Sequence, residues 1–231
     1  MQQIKKSDLS LTNQYIDQVV LARRTKIVLD TTVESLTLLS ILQAKNPSSC
    51  QFCIQLSNSS FIGSTPERLF YKEGAKVVAG TRARGVTEIE DYELGIELLS
   101  SIKDHVEFDI VVESIKQRLT GICKSMKIES YKDLIKQANV QHLYGCLAGE
   151  LCDGISEFEI LSELHPTPAV CGQPQNLAKS FLSKIEKFDR GMYSGPIGWM
   201  SGERAEFLVA IRSALVADLP NLSIHKADKI E

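Results

Sequence analysis

The residues of this chain whose types could do chemistry fall into a few groups, and carboxylates come first. Glu67 follows a proline in Ser64-Thr65-Pro66-Glu67, and the proline restricts the local backbone so that the carboxyl has few directions in which to point. Phe61, Leu69 and Phe70 lie close by in sequence. Apolar surroundings of that kind favour a protonated carboxyl, the form a general acid needs. Asp104 stands one helical turn before Glu107, and Glu203 three residues before Glu206. By type and spacing alone these carboxylates read as charged surface residues. His142 sits in an otherwise apolar strand pattern, where a lone histidine is commonly a hydrogen-bonded core residue. Cys50-x-x-Cys53 is the one thiol pair with a metal-like or redox-like spacing, and it lacks a second pair of ligands. It runs into the alternating Phe52, Ile54 and Leu56, a strand pattern in which residues three apart point to opposite faces, so these cysteines read as ordinary thiols.

Such side chains need a frame, and the most constrained stretch of the chain supplies one. In Leu164-His165-Pro166-Thr167-Pro168-Ala169-Val170-Cys171-Gly172-Gln173-Pro174, three prolines in nine residues rule out a continuous helix or a central strand. A rigid irregular loop is expected. A second stretch, Phe188-Asp189-Arg190-Gly191-Met192-Tyr193-Ser194-Gly195-Pro196-Ile197-Gly198-Trp199, is a turn of small residues leading into an apolar run. There a backbone can approach a ligand closely. Together the two read as the wall of a pocket.

The chain has 231 residues, 43% hydrophobic and 24% charged, with a net charge of -3. That is the profile of a soluble globular protein able to bury a real core, and it gives no support for nucleic acid or a membrane surface as partner. No apolar run approaches a membrane span, and Met-Gln-Gln-Ile-Lys-Lys at the start is not a signal peptide. Six cysteines in a chain of this length argue for reduced thiols.

Periodicity places the elements. Residues 19–21 and 25–29 are β-rich, Asp30 is a plausible helix N-cap, and Val33, Leu36, Leu39 and Leu42 fall at helical spacing. Alternation and short turns predict successive antiparallel strands around residues 52–56, 61–63, 69–71 and 76–79, a meander. From 88 to about 127 the pattern is helical, one long helix or two with a break near Lys103. Residues 140–151 revert to strand, 158–164 and 177–188 are helices, and 193–200 and 207–216 are strands. No repeat or low-complexity linker divides the chain, so a single α+β domain is expected.

Both constrained stretches resemble the signature of the chorismate-utilising enzymes, and His-Pro-Thr-Pro-Ala-Val followed by Cys171-Gly172 is similar to the form in isochorismate synthases, plant ones in particular. Further segments match in the same order: Gln18-Val19-Val20-Leu21-Ala22-Arg23, Gly63-Ser64-Thr65-Pro66-Glu67-Arg68-Leu69, Ala79-Gly80-Thr81-Arg82-Ala83-Arg84-Gly85, Lys103-Asp104-His105-Val106-Glu107, Val140-Gln141-His142-Leu143-Tyr144 and the run from Glu206 through Arg212 to Leu215. The resemblance implies stacked antiparallel sheets flanked by helices, here incomplete at both ends. It divides the chain into a polar lead (1–14), a partial chorismate-binding catalytic domain (15–217) and an unmatched tail (218–231), as expected of a fragment or splice variant.

The implied activity is conversion of chorismate to isochorismate, feeding salicylate or menaquinone and phylloquinone synthesis. Water adds at one ring carbon as the C4 hydroxyl leaves, which calls for a base, an acid and cationic help for two carboxylates. By motif position Glu67 is the acid, and Glu107 and Glu206 are ligands of Mg²⁺, with Asp104 and Glu203 as outer partners. Arg212 and Tyr193 hold the enolpyruvyl carboxylate. Ala79, Gly80 and Thr81 form pocket backbone, His142 lies near the reacting face, and His165 buttresses the loop. No contact is assigned to Arg23, Arg82 or Arg84. The implied partner is chorismate alone, with the chain a monomer or weakly self-associating. In a plant it would work in the plastid, although no transit peptide is visible.

One position departs from the resemblance. Isochorismate synthases place a lysine, the base that activates water, where this chain has Gln18. An amide takes up no proton at neutral pH, and losing a general base costs about 10²- to 10⁴-fold in rate. Weak or absent turnover is therefore expected. The alternatives are a non-catalytic chorismate-binding paralogue or fragment, and an amine-incorporating enzyme similar to anthranilate synthase.

Overall fold

Alternation of apolar and polar residues builds two main sheets, and the places where strands leave one for the other determine where the site lies. The computed structural model describes residues 15–74, 76–82, 102–137, 140–217 and 223–227. Arg84 and the part of the expected helical pattern over 88–101 lie outside the described residues. The strands are β1 (Gln18–Val19), β2 (Ala22–Thr25), β3 (Cys50–Gln55), β4 (Ser59–Thr65), β5 (Arg68–Glu73), β6 (Lys76–Arg82), β7 (Cys123–Gln137), β8 (Val140–Leu151), β9 (Gly172–Gln173), β10 (Pro196–Ser201), β11 (Arg204–Val209), β12 (Ser213–Ala217) and β13 (Ser223–Ala227). Four helices accompany them among the described residues: α1 (Ser35–Lys45), α2 (Ile102–Thr120), α3 (Glu157–Leu164) and α4 (Gln175–Ile185).

The strands form a six-stranded sheet in the order β10-β11-β5-β6-β8-β7, a five-stranded sheet in the order β2-β13-β12-β4-β3, and a two-stranded ladder of β1 with β9. Every pairing among the described residues is antiparallel. The α+β class expected from the sequence is the architecture observed.

One face of the six-stranded sheet carries the main core. Phe108, Val111, Val112, Ile115 and Leu119 line one side of α2 at helical spacing and pack with Phe70, Leu147, Leu151, Ala205 and Val209 of the sheet, and with Ile160 and Leu164 of α3. α3 is short but well capped. Ser156 accepts from the Glu159 backbone while the Glu159 carboxylate accepts from the Ser156 backbone, a reciprocal pair that satisfies two otherwise orphaned donors. A second, smaller cluster of Phe52, Phe61, Ala210, Ile54, Ile197 and Leu215 joins the five-stranded sheet to β10. A third, Val19, Leu21, Cys171, Ala178 and Leu182, docks α4 on β1.

Several expectations need correction. α1 starts at Ser35 with Glu34, not Asp30, at its cap, and none of its residues is buried. The helix expected to reach residue 127 stops at Thr120, ahead of Gly121, a poor helix former. Next comes β7, an edge strand rich in lysine, which blunts an open edge. The meander is interrupted, because β3 and β4 pair in one sheet and β5 and β6 in the other. The apolar run 207–216 is likewise two strands in different sheets, β11 and β12. Ser223–Ala227 forms a strand lying between β2 and β12. All six cysteines are free thiols. No helix among the described residues is long and apolar enough to cross a membrane.

Candidate active site

The two places where the chain changes sheet lie side by side. One is Pro66-Glu67, between β4 and β5, and the other is Ala210-Ile211-Arg212, between β11 and β12. They are laced together across the sequence. Thr65 Oγ1 donates to the Val209 carbonyl at 2.7 Å, Val209 N–H donates to the Glu67 carbonyl at 3.0 Å, and Ser64 N–H donates to the Arg212 carbonyl at 3.2 Å. Strands that switch sheets make corners. Here each corner carries one of the residues singled out from the sequence.

Glu67 is 8% exposed. Its own N–H donates to Thr65 Oγ1 at 3.2 Å, and its carboxylate Oε1 accepts from Thr167 Oγ1 at 3.3 Å. Thr167 is itself buried and belongs to the middle of the proline loop, so the loop touches the acid directly. The loop is held in turn by Val170 N–H and Cys171 N–H, which both donate to the Thr167 carbonyl, at 3.2 and 3.1 Å. The His165-Pro166 and Gln173-Pro174 peptides are cis.

The small-residue turn is pinned to the second corner. Ser194 N–H donates to the Ala210 carbonyl at 3.0 Å and Ala210 N–H to the Gly195 carbonyl at 2.8 Å. Ser194 and Arg212 take positive φ of 66° and 52°, a left-handed conformation that non-glycine residues adopt at a cost and that is typical of constrained functional segments. Tyr193, 4% exposed, is thereby fixed within electrostatic reach of Glu67. Burial is the main reason that its phenol is pushed up to about 12, so it stays a neutral donor throughout the physiological range.

Gln18 lies at the third side. It is paired in register with Gln173 of the loop, and Val19 with Gly172. Val19 and Leu21 pack toward α4, so Gln18, alternating with them, projects from the opposite face of the ladder. Gln173, directly across, projects to that same face. Both side-chain carbonyls, Gln18 Oε1 and Gln173 Oε1, are buried without a hydrogen-bond donor. Gly172 has φ of 139°, and a Cβ there would overlap the Gln18 carbonyl oxygen and crowd Ala178, so only glycine allows the loop to lie this close to β1.

A cavity of about 400 Å³ lies behind the loop, among His165, Pro166, Lys179, Glu186, Arg190 and Tyr193. His165 Nδ1 is buried there without a partner. Burial, followed by the nearby Lys179 charge, holds the imidazole below its usual 6.5, which keeps it neutral.

The two carboxylates expected to bind a metal stand on different elements, Glu206 on β11 and Glu107 on α2. On β11, Ala205, Phe207 and Val209 face the core shared with α2, so Glu206, between the first two, points from the other face of the sheet. There it accepts from Arg68 Nε and Nη2, both at 2.8 Å. Glu107 sits on α2 beside Phe108, whose ring packs on Gly145 of β8 and Tyr131 of β7. Strands β5 and β6 lie between β11 and β8. The two carboxylates have the chemistry of ligands for a hard cation. Among the described residues no group of three or more His, Cys, Asp or Glu side chains is placed to hold a metal.

The side chains of Ala79, Gly80, Thr81, Asp104 and His142 lie outside the described residues. Their backbones place the first three on β6, opposite Leu147, Cys146 and Gly145, Asp104 on α2, and His142 on β8, opposite Ile135. Sequence reasoning missed Thr65 and Thr167, the two hydroxyls that hold Glu67, and it assigned no role to Arg190 of the small-residue turn. Only the hydroxyl flanking a proline in each motif hinted at the threonines.

A family model described as chorismate binding enzyme matches residues 1–220. The chain is 45% identical over 206 residues to isochorismate synthase 2, chloroplastic, of Arabidopsis thaliana, covering 87% of this chain and 37% of that protein. It is 44% identical over 211 residues to isochorismate synthase, chloroplastic, of Catharanthus roseus, covering 88% of this chain and 36% of that one. Among solved structures, MenF, the menaquinone-specific isochorismate synthase from Escherichia coli, superposes with a TM-score of 0.87 at 27% identity, over 97% of this chain and 52% of that chain. The chain thus spans little more than a third of the plant relatives' length.

Proposed function

Since the chain belongs to the chorismate-binding enzymes, we propose that it is an isochorismate synthase-type polypeptide, in which Glu67 donates a proton to the departing C4 hydroxyl of chorismate. The observation that carries this reading is the placement of Glu67: a buried carboxyl, fixed at its backbone by Thr65 and Val209 and at its carboxylate by Thr167, with the buried phenol of Tyr193 beside it. A carboxyl held in one direction inside a low-dielectric wall is suited to deliver a proton to one atom of a bound ring. Tyr193, as a neutral donor, and Arg212, on the adjoining corner, are the groups assigned to the enolpyruvyl carboxylate. His142 is kept near the reacting face, with Ala79, Gly80 and Thr81 as backbone lining.

Magnesium belongs to this reading only through the motif positions of Glu107 and Glu206. Glu206 is engaged with Arg68. The plastid, named for the two plant relatives, and supply of salicylate or quinone precursors belong to the same reading.

The test is to incubate the purified chain with chorismate and Mg²⁺ and separate the products chromatographically. Isochorismate that vanishes in Glu67→Gln supports the assignment, and conversion undiminished in that variant overturns it. Gln18 favours a second reading, a chorismate-binding chain with little or no turnover, because its amide cannot accept a proton from water. Calorimetric binding of chorismate without product distinguishes it.

A further inference from the structure

Between the loop that touches Glu67 and the strand that carries Gln18 stands one side chain, Arg190. Its Nη1 donates to the Val170 carbonyl at 2.7 Å, its Nη2 to the Val20 carbonyl at 2.9 Å, and its Nε to Glu186 Oε2 at 2.7 Å, while Nη2 also reaches Glu186 Oε1. Glu186 Oε1 in turn accepts from Ala22 N–H at 2.8 Å. The pair is withdrawn from water, with side chains 20% and 8% exposed. Surface ion pairs of this i, i+4 spacing contribute little. This one differs because the guanidinium spends its remaining donors on two backbone carbonyls 150 residues apart in sequence.

Both carbonyls lead to the site. Val170 donates its N–H to the Thr167 carbonyl, and Thr167 Oγ1 donates to Glu67. Val20 follows Gln18 by two residues on the segment paired with Gln173. A planar fork with fixed donor directions can hold a carboxylate and two carbonyls at once, which a lysine ammonium cannot do with the same geometry.

We propose that Arg190, locked by Glu186, is a positioning residue that sets the strand carrying Gln18 against the loop that touches Glu67 by tying Val20 and Val170 to one guanidinium. It acts through these two backbone segments and touches no substrate. The catalytic part of this inference rests on the function proposed above.

The experiment compares Arg190→Lys and Arg190→Ala with the native chain by amide hydrogen exchange and by chorismate conversion, with and without millimolar methylguanidinium. Exchange at Val20, Ala22 and Cys171 should rise by about tenfold or more while Val209 and the α2 amides keep their protection. Turnover should fall about 10²-fold with KM for chorismate nearly unchanged, as expected when reacting groups are displaced and substrate contacts persist. Methylguanidinium should restore part of both in Arg190→Ala. Unchanged exchange in that loop and strand overturns the proposal. So does a loss of protection spread evenly over the chain that methylguanidinium does not reverse, the mark of a purely structural pair. If Arg190→Ala does not fold, Arg190→Lys decides by the same readouts. Absence of isochorismate from the native chain counts against the function proposed above, and the exchange measurements then decide the clamp by themselves.

Discussion

Replacing Thr65 with valine removes one hydroxyl from the best-buried part of the site and leaves its shape. Thr65 is fully buried. Its Oγ1 donates to the Val209 carbonyl and accepts from Glu67 N–H. The two losses are unequal. The Val209 carbonyl keeps a second donor, Ile211 N–H at 2.8 Å, so it forfeits only a net hydrogen bond, whereas Glu67 N–H is left unmet in a buried corner. An unmet buried donor costs about 1–3 kcal/mol and a net bond about 0.5–1.5, so Thr65→Val should destabilise by about 2–4 kcal/mol. For a chain of this size that lowers the thermal midpoint by roughly 5–12 °C. Thr65→Ser keeps the hydroxyl and loses a methyl, at about 1 kcal/mol. Denaturant melts of the three proteins give the ordering, and chorismate conversion should drop in the valine variant because Glu67 has lost its backbone anchor. A valine variant within about 0.5 kcal/mol of native, or one more stable than the serine variant, would refute the reasoning.

Gln18→Lys should raise isochorismate formation by about 10²-fold or more, its neutral amine supplying a base while an amine N–H finds an acceptor in the orphaned Gln173 Oε1. Conversion that stays at the native level sinks it. His165, held neutral by burial, makes stability fall on acidification: the unfolded chain takes up a proton near 6.5 that the folded chain resists. The contribution is complete above that pH and is lost as pH drops through the lower folded value, so His165→Asn should flatten the stability profile between about pH 7 and 5 in urea melts. Gly172→Ala, forced into a positive φ against the Gln18 carbonyl, should cost at least about 2 kcal/mol, measurable as a shift in urea midpoint; a neutral result would mean that loop and strand are not in contact.

Much of this was legible in the sequence because local patterns specified it. The alternation at residues 52–56 and 61–63 became the β3–β4 hairpin, the helical spacing of Val106, Ile110, Ile115 and Leu119 became α2, and the short helix expected over 158–164 became α3. The errors came where tertiary context overrode pattern. The run from Phe207 to Val216 holds neither glycine nor proline to signal a turn, yet Arg212 turns left-handed so that one strand ends in one sheet and the next begins in the other. Cys123–Gln137 begins with apolar residues at spacings that suit a helix, and edge pairing with β8 made it a strand. Glu67 itself was found by its proline and its motif, while the threonines that hold it are hydroxyls contributed from distant parts of the chain.

The lacing of the two corners also bears on when the acid acquires its surroundings. Thr65 and Val209 are 144 residues apart, and Thr167 lies 100 residues beyond Glu67. Loop closures that long are entropically slow relative to hairpins such as β3–β4. During synthesis the strand leading into Glu67 leaves the ribosome with its hairpin partner, but its proton-donating geometry awaits β11, so a nascent chain would assemble most of its hairpins before it could have any catalytic competence.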